Sequence, residues 1–249
     1  MVKILLVGAL GKMGAKVRET VEKTDGAEII CGVDRKDASL SFPVYSSFDS
    51  ISVSPDVVID FSSADNLSSV LGFSESRSVP VVLCATGYSS ADEKIIVTAS
   101  KKTAIFRSAN MSLGINLLIS LVKKAEETLK NFDVEIIEKH HNMKADAPSG
   151  TALMLANAVK EVSPDKFFVY GREGKVGARN NKEIGIHAVR GGNIVGEHEV
   201  LFAGESETIT LSHSATDRSV FARGAVQAGI YISSKKIGLF DMNDLINGR

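Results

Sequence analysis

The chain has little cysteine, no surplus of either charge and no apolar run of membrane-spanning length. Its two cysteines, Cys31 and Cys84, form no C-x-x-C pair and no metal-type spacing, so they read as reduced thiols packed in buried strands. Cysteine-poor composition fits a reducing compartment, and a cytoplasmic location is expected. The 29 basic and 30 acidic residues leave a net charge of −1. A non-specific nucleic-acid binder carries a basic excess, so no nucleic-acid partner is expected. The opening stretch Met1-Val2-Lys3-Ile4-Leu5-Leu6-Val7-Gly8 falls far short of the ~20 apolar residues of a membrane span. It also lacks a signal-peptide cleavage pattern, so neither a membrane partner nor a leader is expected.

What is present suits a folded globular protein. The 249 residues are 44% hydrophobic and 24% charged, enough to bury a full core without staples. Val2 to Val7 is a continuous apolar run, as a strand buried on both faces of a parallel sheet should be. Residues 12–23 follow with helical spacing of Met13, Val17 and Val21. Further strands are expected at Ala27–Val33, Val57–Phe61, Val79–Ala85 and Thr103–Arg107, with helices near 65–77 and 89–101. That alternation predicts a Rossmann-type, doubly wound parallel α/β sheet. The serine-rich stretch from Ser39 to Pro55, with Pro43, reads as an irregular surface connection.

The second half changes character. A strong helical pattern covers 111–130, then a strand at Val134–Ile137 and a helix at Ser149–Val162. Three strand-like runs follow, at Glu183–Val189, Asn193–Phe202 and Glu207–His213. Gly191-Gly192 and Ala203-Gly204-Glu205-Ser206 between them resemble hairpin turns, so this half is expected to be α+β with antiparallel strands. Ser219–Ile232 reads as a last helix. The expected division is therefore a dinucleotide-binding domain of 1–111 with 219–249, and an inserted domain of 112–218.

The turn after the first strand reads Gly8-Ala9-Leu10-Gly11-Lys12-Met13-Gly14. Gly11 and Gly14 have the spacing of the last two glycines of G-x-G-x-x-G, while Ala9 stands at the first position. Such a turn lets the backbone approach a pyrophosphate and packs the next helix close to the strand. The helix N-terminus then offers free N–H groups to the phosphates. Asp34 ends the second strand about 20 residues on, where a ribose-binding acid belongs. Arg35 beside it suits a 2′-phosphate, so NADH and NADPH both stay open.

The most informative segment runs Glu138-Lys139-His140-His141-Asn142-Met143-Lys144-Ala145-Asp146-Ala147-Pro148-Ser149-Gly150-Thr151-Ala152. Ser149-Gly150-Thr151 opens an apolar helical pattern, and its hydroxyls and N–H groups would form an anion site at a helix start. Simple helix capping is the plainer reading of the same hydroxyls. His140, His141 and Lys144 would bring cationic and proton-donating groups beside it. No metal site is expected: His140 and His141 on an extended segment point to opposite sides, and no H-E-x-x-H spacing occurs.

This segment closely resembles the E-x-H-H-x-x-K-x-D-A-P-S-G-T-A pattern of the dihydrodipicolinate reductase family, with every fixed position present. Supporting matches are the Gly8/Gly11/Gly14 turn, Ala85-Thr86-Gly87, Ser108-Ala109-Asn110-Met111-Ser112, and Arg190 to His198. The family often has Gly-Thr-Thr-Gly where this chain has Cys84-Ala85-Thr86-Gly87. The resemblance implies an NADH- or NADPH-dependent reductase of a cyclic unsaturated dicarboxylate, and a homotetramer built through the second domain's sheet. By position it implies His140 and Lys144 as the acid–base pair, with Lys144 the proton donor. It implies His141, Lys144, Ser149, Gly150 and Thr151 as the dicarboxylate site. Gly8, Gly11, Lys12, Met13, Gly14, Asp34 and Arg35 match the adenosine and pyrophosphate contacts. Ala85, Thr86, Gly87, Ala109, Asn110 and Met111 match the nicotinamide end. Two other readings stay open at this point: a two-domain dehydrogenase of the aspartate or homoserine type, and a non-catalytic NAD(P)H sensor.

Overall fold

The computed structural model describes residues 1–248. The chain divides into two compact units, one of Met1–Leu113 with the stretch from Arg218 onward, the other Gly114–Asp217.

The first unit begins β1 (Val2–Val7), α1 (Lys12–Val21), β2 (Ala27–Val33), β3 (Ala38–Ser39), β4 (Pro43–Tyr45) and β5 (Val57–Asp60). It continues α2 (Leu67–Arg77), β6 (Val81–Leu83), α3 (Ser90–Ala99) and β7 (Ala104–Arg107). Helix α4 (Leu113–Thr128) leads into the second unit, with β8 (Asp133–His140), α5 (Gly150–Val162), β9 (Phe167–Tyr170), β10 (Glu183–Arg190), β11 (Gly196–Ala203) and β12 (Thr208–Ala215). The chain then returns to the first unit as α6 (Ser219–Ile232), β13 (Gly238–Phe240) and α7 (Met242–Asn247).

The first unit's sheet has the order β13-β7-β6-β5-β1-β2-β4-β3, parallel except for the β3–β4 pair. The continuous apolar run of β1 is explained by its two faces. Ile4 and Leu6 pack with Val17 and Val21 of α1 and Ala222, Ala225 and Ile232 of α6. Leu5 and Val7 pack on the opposite side with Val70 and Leu71 of α2 and Ile96 of α3. Each such side chain contributes roughly 1.5–3 kcal/mol of burial. The Ser39–Pro55 stretch departs from expectation. It adds an edge to the sheet through β4, and Phe42, Val44 and Ile51 are buried. Prolines and serines masked these few apolar residues, because a two- or three-residue edge strand is too short to show a period. The short β13 and α7 escaped for the same reason.

The second unit's five-stranded sheet has the order β12-β11-β8-β10-β9. It is mixed: β10 runs parallel to both β8 and β9, while β11 is antiparallel to β8 and β12. The antiparallel expectation therefore holds only for the β8–β11–β12 half. The expected hairpin at Gly191-Gly192 does not form, because β8 lies between β10 and β11. That turn bonds to the end of β8 instead: Gly191 N–H donates to His140 O (2.9 Å), and Asn142 N–H to Gly192 O (3.2 Å). One face of the sheet packs Val134, Ile136, Ile184, Val200 and Phe202 under Leu118 and Val122 of α4 and Leu155 and Val159 of α5. The other face carries ion pairs, with Glu135 held by Arg172, Arg179 and His187.

Candidate active site

In the first unit, the expected cofactor residues gather at the carboxyl ends of the parallel strands. After β1 the backbone turns at Gly8, with φ of +79°. Helix α1 starts almost on top of that turn. A Cβ at Gly14 would lie 2.2 Å from the Gly8 carbonyl oxygen, so no side chain fits there. Gly11 caps α1 with no side-chain acceptor, which leaves the helix N–H groups to an anion from outside. Ala9 is fully buried, and its methyl occupies space that Gly32 leaves open on β2, which accounts for alanine at the first glycine position. Asp34 is tied to the same turn: Oδ2 accepts from Leu10 N–H (2.8 Å) and Oδ1 from Arg35 N–H (2.8 Å). Gly8, Gly11, Asp34 and Arg35 line a cavity of about 1070 Å³ that extends toward Ser46 and Phe48. Lys12 is exposed and Met13 half-buried at the start of α1. Close backbone approach, an uncapped helix start and a fixed acid together fit a dinucleotide.

Ala85, Thr86 and Gly87 follow β6, and Ala109, Asn110 and Met111 follow β7. Ala85 and Met111 are buried, whereas Thr86, Gly87 and Ala109 are exposed. Beside them, at the end of β5, lies a fully buried carboxyl that sequence reasoning gave no role. Asp60 Oδ1 accepts from Ser62 N–H (2.8 Å) and Ser62 Oγ–H (2.5 Å), and burial pushes its carboxyl up. Cys84 is half-buried and sits just past β6 rather than inside it. Burial, with Asp60 nearby, pushes its thiol up.

In the second unit, the buried face of β8 reads Val134, Ile136, Glu138, His140. It passes from apolar to ionisable along one strand face. Glu138 is the hub. Its Oε2 lies 2.5 Å from His140 Nδ1, and its Oε1 accepts from Ser149 N–H (3.0 Å). Arg190 Nη1 and Nη2 donate to Oε2 (2.8 Å) and Oε1 (2.7 Å) in a bidentate fork. Burial alone would raise the Glu138 carboxyl, but Arg190, His140 and Ser149 N–H outweigh it and hold it below the ordinary range. Ser149 caps α5, accepting from Ala152 N–H (3.1 Å), and its Oγ also pairs with His198 Nε2 (3.0 Å). Capping and the anion-site reading are therefore compatible. Burial, assisted by His140, pushes His198 down to about 4, so this ring is neutral near pH 7.

The structure thus brings His140 and Ser149 together through Glu138 and His198. Lys144 belongs to the loop after β8, where its Nζ donates to both Asp146 oxygens (2.7 and 2.9 Å). His141 and Thr151 are half-buried, and Gly150 is exposed at the first turn of α5. His140 is 9% exposed with Nδ1 committed to Glu138, which leaves Nε2 outside that pairing. Four residues here had no assigned role in the sequence reading: Glu138, Asp146, Arg190 and His198. The signal for Glu138 and His140 was the alternation Val134, Ile136, Glu138, His140, in which charge occupies core-facing positions. The register completes the picture, setting Glu138 opposite His198 and His140 opposite Arg190.

The chain as a whole has known relatives. The family description "Dihydrodipicolinate reductase, N-terminus" matches residues 2–111, and "Dihydrodipicolinate reductase, C-terminus" matches 114–246. The chain is 50% identical to a 4-hydroxy-tetrahydrodipicolinate reductase of Caldanaerobacter subterraneus, over 99% of this chain and 98% of that one. It is 48% identical to the Clostridium novyi protein of the same name, over the full length of both. Among solved structures, a dihydrodipicolinate reductase from Paenisporosarcina with dipicolinate bound superimposes with a TM-score of 0.83 at 27% identity, covering 98% and 99% of the two chains. An aspartate dehydrogenase from Thermotoga maritima, at 14% identity and a TM-score of 0.51, shares the fold alone. With both halves matched in order and relatives alike end to end, the chain belongs to the dihydrodipicolinate reductase family.

Proposed function

We propose that this protein reduces the dehydrated form of 4-hydroxy-tetrahydrodipicolinate to tetrahydrodipicolinate, a step of diaminopimelate and lysine biosynthesis. Bound NADH or NADPH supplies the hydride. Residues 1–111 and 219–249 hold the dinucleotide, and 112–218 hold the substrate. In the first part, the N–H groups at the start of α1 take the pyrophosphate, and Lys12 and Met13 flank it. Asp34 takes a ribose hydroxyl, and Arg35 takes the 2′-phosphate when the cofactor is NADPH. Thr86, Gly87 and Asn110, with the backbone of Ala85, Ala109 and Met111, frame the nicotinamide end.

In the second part, the substrate's carboxylates are received by Ser149, Gly150 and Thr151 at the start of α5, by His141 and by Lys144. Hydride addition leaves a carbanionic ring position that needs a proton. Lys144 Nζ supplies it, and His140 assists through Nε2 while Glu138 fixes its ring. The working unit is a homotetramer assembled through the open face of the five-stranded sheet, and it acts in the cytoplasm on a small dicarboxylate. No helix among the described residues is long and apolar enough to cross a membrane.

The observation that carries this reading is the helix start of α5, where Ser149 is clamped to Glu138 within the same motif that bears His140 and Lys144. The test is absorbance at the nicotinamide band, with enzymatically generated dicarboxylate and either NADH or NADPH. Oxidation dependent on the dicarboxylate is expected. Tight NADH binding without oxidation would point instead to a nucleotide sensor.

A further inference from the structure

Arg190 lies at the end of β10, and its single guanidinium reaches two places at once. Nη1 and Nη2 together span both oxygens of Glu138, which is fully buried. Nη2 also reaches out of the sheet, donating to the backbone carbonyl of Asp146 (2.7 Å). Asp146 is the residue whose side chain holds Lys144 Nζ. A continuous path therefore runs from the buried Glu138 carboxylate through Arg190 to Asp146 and on to Lys144. Few main-chain bonds tie down this loop. Asn142 N–H reaches Gly192 O (3.2 Å), and Lys144 N–H bonds within the loop to His141 O (3.2 Å). Between Lys144 and the α5 cap, the Asp146 carbonyl is the tie to the sheet.

We infer that Arg190 is a positioning residue that sets where Lys144 stands, by anchoring the Lys144–Asp146 loop to the Glu138 hub. This inference rests on the reductase reading given above. Lysine cannot replace arginine here. A planar fork can bridge two carboxylate oxygens and a carbonyl at once, whereas an ammonium is a point charge. Because the reacting geometry tolerates little error, a shift of about 1 Å in the donor costs about 10²-fold in rate.

The experiment compares Arg190→Ala, Arg190→Lys and the double variant Arg190→Met with Glu138→Gln. All are assayed as full-length protein, with NADH affinity and thermal melting measured alongside. Arg190→Ala is expected to lower kcat for the dicarboxylate about 10- to 100-fold. NADH affinity should change less than twofold, and added guanidinium ion should restore part of the loss. Arg190→Lys should stay low. The double variant removes the unpaired buried charge, so its melting temperature should recover while kcat stays depressed. Hydrogen exchange of the amides at 143–146 should rise in Arg190→Ala, with α5 unchanged. A kcat within twofold of wild type in Arg190→Ala overturns the inference. So does full recovery of kcat in the double variant, since Arg190 would then serve only to neutralise Glu138. Unaltered exchange at 143–146 also overturns it, and that readout is independent of turnover. Failure of the wild type to oxidise NADH would instead strike the reductase reading itself.

Discussion

The two halves of this chain carry candidate sites made of different material. The glycine turn of the first unit is built from main chain: Gly8, Gly11 and Gly14 matter for what they lack, and the groups left open at the start of α1 are backbone N–H groups. The cluster in the second unit is built from side chains: Glu138, His140, Lys144, Asp146, Ser149, Arg190 and His198 hold one another. The first kind of site fails by steric overlap, most sharply at Gly8 and Gly14, where an added Cβ meets backbone atoms. The second kind fails by degrees, because each contact in a network has neighbours that carry part of the load.

The largest effect should come from breaking the main-chain half. Gly14→Val puts carbon within 2.2 Å of the Gly8 carbonyl, a backbone atom that cannot move aside without dragging β1. The variant should lose measurable NADH binding and melt earlier, since overpacking typically costs about 1–3 kcal/mol. Calorimetric titration with NADH reads this directly, and wild-type affinity in Gly14→Val would erase the contrast between the halves. Next in size is Lys144→Ala, with kcat expected to fall about 10²-fold or more, the scale of a lost general acid, at unchanged NADH affinity. Turnover equal to wild type would remove Lys144 from the chemistry.

The same contrast explains what could be read from the sequence. A main-chain site is local, so Gly8 to Gly14 and Asp34 could be placed from spacing alone. Helices with a strong period were equally legible, as α6 at Ser219–Ile232 shows. Cap chemistry also reads locally, and Ser149 stands where its hydroxyl predicts. The side-chain network is non-local. Arg190 and His198 meet Glu138 only because β10 and β11 flank β8, and no short-range pattern announces that order. The failed hairpin at Gly191-Gly192 has the same cause. Two glycines between strand-like runs suggest a tight return, but the neighbour that β10 finds was laid down some 50 residues earlier. Sequence spacing finds a motif's members; strand register decides which of them touch.

A smaller effect probes the join between helix start and network. Ser149→Ala removes the cap on α5 and a partner of His198. Loss of an N-cap costs about 1 kcal/mol. KM for the dicarboxylate should rise while NADH affinity holds. If only stability changes, Ser149 is a cap and not a ligand, and the substrate half shrinks to Lys144 and its neighbours.

The finest test separates the network's members by pH. His198 is buried and its ring is pushed down to about 4, first by burial and then by His140, with His213 and Lys144 adding to the effect and Glu138 opposing it. An unfolded histidine takes up its proton near pH 6.5. Between that value and about 4, the unfolded chain binds a proton that the folded chain refuses, so stability falls as pH falls through this window. One such group contributes at most about 1.4 kcal/mol per pH unit. His213, also lowered by burial, adds in the same direction. The carboxylates act in a lower window. Glu138 lies below its ordinary value and Glu135 is held down to about 2, in each case despite burial and through arginine and histidine partners. Their stabilisation is complete above about 4.3 and drains away below it, as pH falls toward their folded values. Melting temperature followed from pH 7 to 3 should therefore show two slopes. His198→Gln keeps an amide that can pair with Ser149 Oγ, and it should flatten the upper slope while leaving the lower one intact. An upper slope that survives unchanged in His198→Gln would mean that His198 takes up its proton as readily in the folded protein as in the unfolded chain, and that burial does not hold its ring neutral.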